Sequence, residues 1–511
     1  MTDGTVIGDV YGGGEVGSVR QGTEVMLTGG TVTHDVYGGG KGTSTVAANV
    51  GGDVLVDLNG NIDPTKKGAV VKGNIFGANN INGTPKGHVL VYVHGTQNEN
   101  TAAINAKVDD KYDVVGVYGG GNQADYVPTD AMQSTEVIIE GCDLTSIDEV
   151  YGGGYGAATP ATSVLVKGTK IINNVYGGGY GAGATNPGAN VGYMTGGTAY
   201  TSGTGKAIVQ LMAGTINNVY GGSNTKGDIR GGSSVTNVAN THEAGCCDKL
   251  TVGEIYGGGK QADMYGGAEI VLGCMPNDWI GAIYAGAENA DIGGDVGLTL
   301  TSGKFERVFG GNNKGGKIDG YIEVNIEENP NCETPIIIGG LYGGGNMAPY
   351  TVPAKYTANN PNYQSPRVNV RAFTSIGNIY GGGFGANATV TGNPLVNINQ
   401  VEGGREYAGE TKDLEDGSKV TLYARSKDGK MGVIGNVFGG GNAAKVIGNT
   451  TVNIGTESEQ QMVSLQTTDE AGNVTVVKKP VVGADIRGNV YGGGNNAAVV
   501  GKTDVVIGKK K

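Results

Sequence analysis

Short runs of apolar residues that alternate with polar ones recur along the whole chain. In the stretch 155–175, "YGAATPATSVLVKGTKIINNV", β-branched residues alternate and are separated by Gly, Asn or Thr-Gly, which is typical of short, half-buried strands. About three such strands fit into one copy of the pattern. No helical periodicity stands out, and each glycine would cost a helix about 1 kcal/mol relative to alanine. The pattern predicts an all-β protein.

One phrase marks every copy of the pattern: an aliphatic residue, an aromatic residue and a triplet of small residues, mostly Gly. The phrase occurs 14 times. Its aromatic residue is Tyr11, Tyr37, Phe76, Tyr118, Tyr151, Tyr176, Tyr220, Tyr256, Tyr284, Phe309, Tyr342, Tyr380, Phe438 or Tyr491. Successive aromatics are 25 to 58 residues apart, so the shortest spacing is the repeat unit and the excess is insertion.

A unit of this size matches one coil of a parallel β-solenoid, in which each strand pairs with its equivalent in the next coil. We therefore predict one continuous solenoid over residues 1–511, right-handed, with three strands in each of about 14 coils. At about 4.8 Å per coil its length would be about 65 to 70 Å. Because both ends lie inside a coil without a polar cap, we expect a segment of a longer protein, whose neighbouring coils would be its partners.

Apolar residues four positions and one position before the aromatic predict a bend, as at Ile434 and Val437. A separation of three places two side chains on opposite faces of a straight strand. The pair Gly435 and Asn436 between them is therefore expected to be a corner around which both apolar residues point inward. Asn, Asp or Glu recurs at the second corner position, which predicts hydrogen bonds between these side chains from coil to coil.

The three glycines after the aromatic are expected to form a flat surface on which the ring of a neighbouring coil lies. The direction of the rings stays open. Alternation from the buried aliphatic residue places them outside, where tyrosine hydroxyls reach water or a partner, whereas an internal stack would fill the core. An exposed row, here called the aromatic ladder, would suit sugar rings or a protein surface. Its tyrosines are the candidate binding residues: Tyr11, Tyr37, Tyr118, Tyr151, Tyr176, Tyr220, Tyr256, Tyr284, Tyr342, Tyr380 and Tyr491.

The longer units predict inserted loops or hairpins. These lie near 93–112, 181–206, 223–247, 349–366, 401–430 and 455–483. The stretch 401–430 has 13 charged residues in 30 and is expected to form a hairpin that leaves the solenoid, followed by a second hairpin at about 455–483. Within 349–366, "YTVPAKYTANNPNYQSP" has the tyrosines and prolines of a binding loop, although plain surface decoration is the alternative.

Composition and charge narrow the possible partners. The 511 residues carry a formal net charge of −12, and the only basic cluster is Lys509 to Lys511, so nucleic acid is not an expected partner. No apolar run is long enough to span a bilayer, and no signal-peptide pattern opens the chain. The histidines show no metal-binding spacing and the glycine-rich phrases lack a strand-to-helix context, so no metal and no cofactor are predicted. Isolated calcium sites between loops stay open.

The five cysteines recur nine or ten residues before the aromatic of their units, which places them at one corner. Cys246 and Cys274 belong to consecutive units, so their Cα atoms should lie about 5 Å apart, within disulfide range. Cys246 or Cys247 is therefore expected beside Cys274, and Cys142 and Cys332 are expected too many coils away to pair with them. A stack of free thiols is the alternative.

Phrases such as "GNVYGGGNNA" and "NVYGGGYGA" resemble glycine-rich, adhesin-like cell-surface proteins of gut anaerobes of the Bacteroidetes type. More loosely, they resemble filamentous-haemagglutinin-like adhesins. The resemblance covers nearly the full chain but rests on a low-complexity phrase. It implies an extracellular or cell-surface rod that binds glycan or protein polymers without turnover.

Two other functions are compatible with the same fold. A passive structural stalk or filament needs no binding surface. A β-helical polysaccharide lyase or hydrolase, or a tailspike-like protein, needs Asp, Glu, Arg or Lys clustered on neighbouring coils for acid–base chemistry. No such cluster stands out in the sequence, so an enzyme is not predicted.

Overall fold

The computed structural model describes residues 2–60, 68–97, 112–130, 133–181, 188–193, 205–241, 247–401, 403, 405–414, 416–456, 462–468 and 474–508. The chain divides into two compact units. Unit 1 comprises Met1–Val235, Asn240–Thr251 and Gly258–Gly266, and unit 2 comprises Thr236–Ala239, Val252–Gly257 and Gly267–Lys511.

Unit 1 is built from short strands. They are β1 (Thr2–Val6), β2 (Val10–Tyr11), β3 (Thr23–Leu27), β4 (Gly29–Val32), β5 (Val36–Tyr37), β6 (Val54–Leu58), β7 (Val70–Val71), β8 (Asn74–Phe76), β9 (Val89–Val93), β10 (Val114–Tyr118), β11 (Ser134–Ile139), β12 (Ser146–Tyr151), β13 (Ala161–Val166), β14 (Ile171–Tyr176), β15 (Ala207–Leu211) and β16 (Gly214–Tyr220). A 3-10 turn covers Cys142–Leu144. The strands β17 (Ser233–Asn237) and β18 (Leu250–Tyr256) have residues in both units.

Unit 2 contains the remaining strands and one helical turn, α1 (Ala354–Thr357). The strands are β19 (Ala268–Leu272), β20 (Ile280–Tyr284), β21 (Val296–Leu300), β22 (Gly303–Phe309), β23 (Ile322–Glu327), β24 (Ile336–Tyr342), β25 (Tyr350–Thr351), β26 (Gln364–Ala372), β27 (Ser375–Tyr380), β28 (Val390–Thr391), β29 (Asn393–Ile398), β30 (Gln400–Val401), β31 (Glu410–Asp413), β32 (Lys419–Leu422), β33 (Val433–Phe438), β34 (Val446–Ile447), β35 (Thr450–Ile454), β36 (Met462–Thr468), β37 (Val474–Gly483), β38 (Asp485–Ile486), β39 (Val490–Tyr491), β40 (Val499–Val500) and β41 (Thr503–Ile507).

Each unit stacks equivalent strands of successive repeats into two long parallel sheets. In unit 1 the aromatic sheet has the order β2-β5-β8-β10-β12-β14-β16, and the companion sheet has the order β3-β6-β9-β11-β13-β15. In unit 2 the aromatic sheet contains β20-β22-β24-β27-β33, and the companion sheet contains β19-β21-β23-β26-β29-β35-β41. Tyr151, for example, pairs with Tyr118 on one side and with Tyr176 on the other.

A third, shorter side completes the coil. In unit 2 it includes the four-stranded sheet β25-β28-β34-β40, and in unit 1 it is marked by isolated parallel bridges such as Val19 to Val50 and Thr159 to Val191. The described coils thus combine strands of the two long sheets with short parallel pairings on a third side. The predicted all-β fold of stacked parallel strands is confirmed in each unit, and its continuity over all 511 residues stays a prediction.

The polar pair before the aromatic is a bend inside one strand. β33 runs through Gly435 and Asn436 without a break, while Ile434 and Val437 are both fully buried, as the predicted corner requires. The Nδ2 atom of Asn436 donates to Oδ1 of Asn378 at 3.0 Å, which confirms the predicted polar side-chain ladder. Val490 pairs with Val437 in the register of the two strands, but it is only half-buried in β39.

The glycines after the aromatic pack against backbone, so the expectation that a ring lies on them is wrong. A Cβ atom at Gly310 would lie 2.3 Å from the carbonyl oxygen of Gly343 and 2.7 Å from Cγ2 of Ile322. A Cβ atom at Gly311 would lie 2.8 Å from the nitrogen of Gly345. Glycine is required because coils joined by backbone hydrogen bonds leave no space for a side chain there.

The charged insertion at 401–430 contains the predicted hairpin. β31 pairs antiparallel with β32, from Glu410 opposite Leu422 to Asp413 opposite Lys419. The hairpin does not leave the solenoid, however, because Val420 and Leu422 are buried and a Cβ atom at Gly377 of β27 would touch Val420. It lies on the aromatic sheet of unit 2, where apolar residues on one face of the hairpin are removed from water.

The other insertions are only partly as predicted. β36 and β37 form the expected second hairpin within 455–483. The range 223–247 is not simply an insertion, because it contains β17, in which Val235 is fully buried. In 181–206, Val191 bridges Thr159 and Ile229 and so belongs to the third side. Most of 93–112 lies outside the described residues.

The disulfide pairing differs from the expectation. Cys274 is bonded to Cys332, with Cα atoms 4.7 Å apart, and Cys142 is also disulfide-bonded. The coil between the two cysteines has a short corner at Thr301 and Ser302. The longer corner that carries Cys332 folds back over it, and Ser302 Oγ donates to the carbonyl of Thr334 at 2.8 Å. Counting coils failed because corners differ in length. Cys247 is a free thiol, and Cys246 lies outside the described residues.

Candidate functional site

The rings of the aromatic ladder stack on one another. Successive ring centroids are 4.7 to 4.8 Å apart in unit 1 and 4.8 to 5.0 Å apart in unit 2. Each inner ring therefore has a ring on both faces, and Tyr151 and Tyr176 are fully buried. Tyr491, by contrast, is 45% exposed. No space remains between these rings for a sugar.

The ladder nevertheless stands on the outer face of the aromatic sheet. Tyr151 shares its face with Glu149, to which its hydroxyl donates at 2.5 Å, and the intervening Val150 points the opposite way into the core. A residue from a later coil, four positions after the aromatic of that coil, covers this face. At Tyr151 this residue is Asn224, whose side-chain amide donates to the Tyr151 hydroxyl at 2.7 Å. Burial raises the pKa of both Tyr151 and Glu149.

Of the two alternatives left open by the sequence, an exposed row of ring faces is not what the structure shows, because the rings cover one another. The same cover recurs where Asn80 donates to the Tyr11 hydroxyl at 2.7 Å and where Tyr155 packs edge-on against Tyr118 at 5.7 Å. The aromatic ladder is part of the folded interior. A binding surface has to be sought elsewhere on each unit.

Unit 1 carries half-exposed tyrosines at the corner before its companion strands. The Tyr265 cluster consists of Tyr193, Asp228, Arg230 and Tyr265. Asp228 accepts hydrogen bonds from the Tyr193 hydroxyl at 2.5 Å and from the Tyr265 backbone nitrogen at 2.6 Å. The Arg230 guanidinium lies over the Tyr265 ring, 3.8 Å from its centroid, and Tyr265 is 59% exposed. Burial, followed by the hydrogen bond to Asp228, raises the pKa of Tyr193.

Unit 2 has a second group of tyrosines around an aspartate and an arginine. The Tyr356 cluster consists of Asp295, Tyr321, Tyr356, Tyr363 and Arg367. Asp295 accepts from the Tyr356 hydroxyl at 2.5 Å and from the Tyr321 backbone nitrogen at 3.1 Å. Tyr356 stacks on Tyr363 at 4.9 Å, and Arg367 lies 5.2 Å from the centroid of Tyr363. The loop predicted at 349–366 supplies two of these tyrosines.

Both clusters follow one plan. In each, an aspartate accepts hydrogen bonds from the backbone of a tyrosine in the next coil and from the hydroxyl of another tyrosine. An arginine of the following strand or corner covers one ring. Flat, partly exposed rings beside hydrogen-bonding groups are the arrangement on which sugars and amphipathic surfaces bind.

A third group of polar residues lies on the outer face of the companion sheet in unit 1. Lys167 Nζ donates to the Tyr92 hydroxyl at 2.9 Å and lies 3.5 Å from Glu140, while Tyr92 donates to Glu140. The ring of His94 stacks on Tyr92, and its Nε2 atom lies 3.4 Å from Asp57. These residues come from four separate repeats, so their spacing in the sequence did not reveal the group.

Burial and hydrogen bonds shift the pKa values of two residues of this third group, Tyr92 and Lys167. The hydrogen bond to Tyr92 raises the pKa of Lys167, and burial raises the pKa of Tyr92. Both groups therefore keep their protons near pH 7, and neither is poised as a general base. Among the residues that the structure describes, no group of His, Cys, Asp and Glu is arranged to hold a metal ion.

Comparison of the chain with protein families, with characterised proteins and with solved structures finds no match. Within the described ranges, no helix has the length and apolar character needed to cross a bilayer. The inference of function therefore rests on the clusters themselves.

The sequence contained one signal for the Tyr265 cluster. "MYGG" at 264–267 resembles the repeated phrase, but Met264 replaces its usual aliphatic residue and the phrase falls between two array copies. Tyr265 is not one of the 14 aromatic-ladder positions, so the stacking of the ladder rings does not require a tyrosine there. It therefore indicates a surface position.

Proposed function

We propose that this chain is an adhesin-like, extracellular or cell-surface repeat protein that binds glycan or protein polymers without turnover. The observation that carries the proposal is the repetition of a half-exposed tyrosine cluster, with the same aspartate and arginine chemistry, in each of the two units. The tyrosines of the aromatic ladder are not the surface we propose, because their faces are covered by one another.

Sugar rings suit these clusters better than a plain apolar partner does. A pyranose has an apolar face that packs on a tyrosine ring, and its hydroxyls exchange hydrogen bonds with carboxylate and guanidinium groups. A single site of this size binds weakly. Several sites engaged by one polymer bind with much higher avidity, since the later contacts form at high effective concentration.

The disulfides support an extracellular location. Cys142, Cys274 and Cys332 are all disulfide-bonded, and such bonds form and persist mainly in oxidising compartments. A cytoplasmic solenoid would keep these thiols reduced. Localisation outside the cytoplasm and binding to surface polymers are thus mutually consistent proposals.

The two alternatives have different supports. The Tyr92 group on the companion sheet favours a polysaccharide lyase or hydrolase, but its Tyr92 and Lys167 both keep their protons near neutral pH. A passive stalk is favoured by the regularity of the fold. It gives no reason for tyrosine clusters outside the repeated phrase.

Binding is tested by applying the full chain to an array of immobilised polysaccharides and matrix proteins. We expect binding to at least one extended polymer, and at least about tenfold weaker binding when Tyr265→Ala and Tyr356→Ala are combined. Tyr407→Ala is the matched control, because it removes another tyrosine of unit 2, hydrogen-bonded to Glu410, that belongs to neither cluster.

Three outcomes contradict the proposal. No binding to any polymer favours the passive stalk. An equal loss in the Tyr407→Ala control places the binding surface outside the clusters. New reducing ends or unsaturated products released from a bound polysaccharide show turnover and favour an enzyme.

A further inference from the structure

Arg230 lies against an aromatic ring rather than against a carboxylate. Its guanidinium lies over the Tyr265 ring, 3.8 Å from the ring centroid. No carboxylate in the described part of the chain forms an ion pair with it. Arg371 and Arg487, in contrast, pair with Glu327 at 2.6 Å and Asp485 at 2.9 Å.

The adjacent aspartate does not neutralise Arg230 directly. Both carboxylate oxygens of Asp228 are engaged, Oδ2 by the Tyr193 hydroxyl and Oδ1 by the Tyr265 backbone nitrogen. A guanidinium has five N–H donors in a planar fork. Donors of Arg230 therefore remain for a ligand, on a group whose orientation is already fixed by an aromatic ring.

We infer that Arg230 is the receptor for an anionic substituent, a carboxylate or a sulfate ester, on an acidic glycan. This inference rests on the proposed function and names its ligand class. Carboxylate and sulfate oxygens match the guanidinium fork and form charge-assisted hydrogen bonds with it. The exposed part of the Tyr265 ring lies directly beside, where the sugar carrying the substituent can pack.

A glycan fits this site better than an acidic protein. The site has only one unpaired cation, so a partner with closely spaced carboxylates would bring uncompensated charge. The chain as a whole has a net charge of −12, which repels a dense polyanion at long range. One charged substituent per sugar, separated by neutral hydroxyls, is the pattern that a single arginine and a ring can select.

The Tyr356 cluster provides an internal comparison. Its Arg367 donates through Nε to the carbonyl of Gln364 at 2.8 Å and stands farther from its ring, at 5.2 Å. The acidic residue Glu323 also lies opposite it on the neighbouring strand. An anion is therefore less favoured at Arg367 than at Arg230, while neutral sugar hydroxyls suit both clusters.

The test uses the full chain and three probes with the same sugar backbone: dextran, and carboxymethyl-dextran and dextran sulfate of equal, low substitution, with at most one charged substituent per sugar. Affinities are measured by biolayer interferometry at one fixed ionic strength. We expect one or both charged dextrans to bind more tightly than dextran. Arg230→Gln should weaken that binding at least about tenfold, since a charge-assisted contact is lost, and should weaken binding of uncharged dextran much less, so that the preference for charge disappears. Arg367→Gln is the matched control and should leave the preference for charge intact.

The charged probes distinguish the two anions. Preference for carboxymethyl-dextran assigns the site to a carboxylate, and preference for dextran sulfate assigns it to a sulfate ester. Circular dichroism of Arg230→Gln that matches the unaltered chain shows that the variant is folded.

Several results overturn the inference. Equal affinity for all three dextrans, with or without Arg230, removes the role of charge but leaves the proposed polymer binding intact. Binding of polyglutamate in place of the charged dextrans identifies an acidic protein as the partner. If no dextran binds while another neutral polymer on the array does, the acidic glycan is wrong and the proposed function stands. If nothing on the array binds, both fail.

Discussion

Glycine after the aromatic is fixed by what surrounds it. At Gly310 the space for a side chain is already occupied by the Gly343 carbonyl and by Ile322 of the companion sheet. A substitution there must push two coils apart or displace a core side chain, and both deformations are costly in a closely packed interior.

We expect Gly310→Ala to destabilise the protein by about 1 to 3 kcal/mol, the usual cost of overpacking. Gly297→Ala is the matched control, because Gly297 also lies in a strand of unit 2 and nothing stands within 4 Å of its Cβ position. Urea unfolding followed by circular dichroism compares the two midpoints. An equal midpoint for both variants would show that the coils adjust without strain.

Sequence reasoning at this scale identified the positions better than their contacts. The repetition of Gly, Val and Tyr gave the strands, the bend and the polar ladder, since each follows from backbone geometry and alternation. The cover over Tyr151 could not be predicted. It depends on the side chain of Asn224, which comes from a coil two coils away, and no local sequence pattern connects Tyr151 with Asn224.

Among the elements, the hairpin of β31 and β32 shows why charge alone misleads. Its many charged residues indicated a projection into solvent. Its second strand, Lys419–Leu422, alternates between exposed and buried residues, which is the signature of one covered face. Charged residues of the hairpin instead contact the sheet at the edge of the hairpin. Lys412 forms an ion pair with Glu306 at 3.0 Å, and the Lys412 ammonium lies 4.5 Å from the centroid of the Trp279 ring.

Leu422→Ala should detach this hairpin from the aromatic sheet without unfolding unit 2. Leu422 is 1% exposed, and truncation of a buried leucine costs about 2 to 5 kcal/mol. Hydrogen exchange of the 410–422 amides should therefore accelerate, while exchange in the sheet strands stays slow. Thr421→Ala changes the exposed neighbour and should leave exchange unaltered. Acceleration throughout the sheet would mean that the hairpin is needed for the fold of the unit.

At the scale of the whole molecule, a disulfide joins two segments that are distant in the sequence. The bond between Cys274 and Cys332 closes a sequence separation of 58 residues, and constraining a loop of this length limits the freedom of the unfolded chain. The corner shared by the cysteines was predictable from their constant distance to the aromatics. The pairing of Cys274 with Cys332 was not predictable, because it depends on how far one long corner folds over a short one.

Cys332→Ser should lower the stability of the oxidised protein by about 2 to 5 kcal/mol, the usual range for a lost native disulfide. Thermal unfolding without reductant measures this loss. Cys247→Ser is the control, since Cys247 is a free thiol, and it should melt close to the unaltered chain. Identical melting of all three proteins would show that the bond contributes nothing to the folded state.

The backbone fit between neighbouring glycine triplets also limits how this protein can change length during evolution. One residue added inside a strand would turn every following side chain to the opposite face, and a side chain added at Gly311 would strike the next coil. Duplication of an entire coil preserves all of these contacts, and so does growth of a corner. The spacings of 25 to 58 residues between aromatics are the expected record of such a history: invariant strands, duplicated in whole units, joined by corners in which new surface chemistry arises.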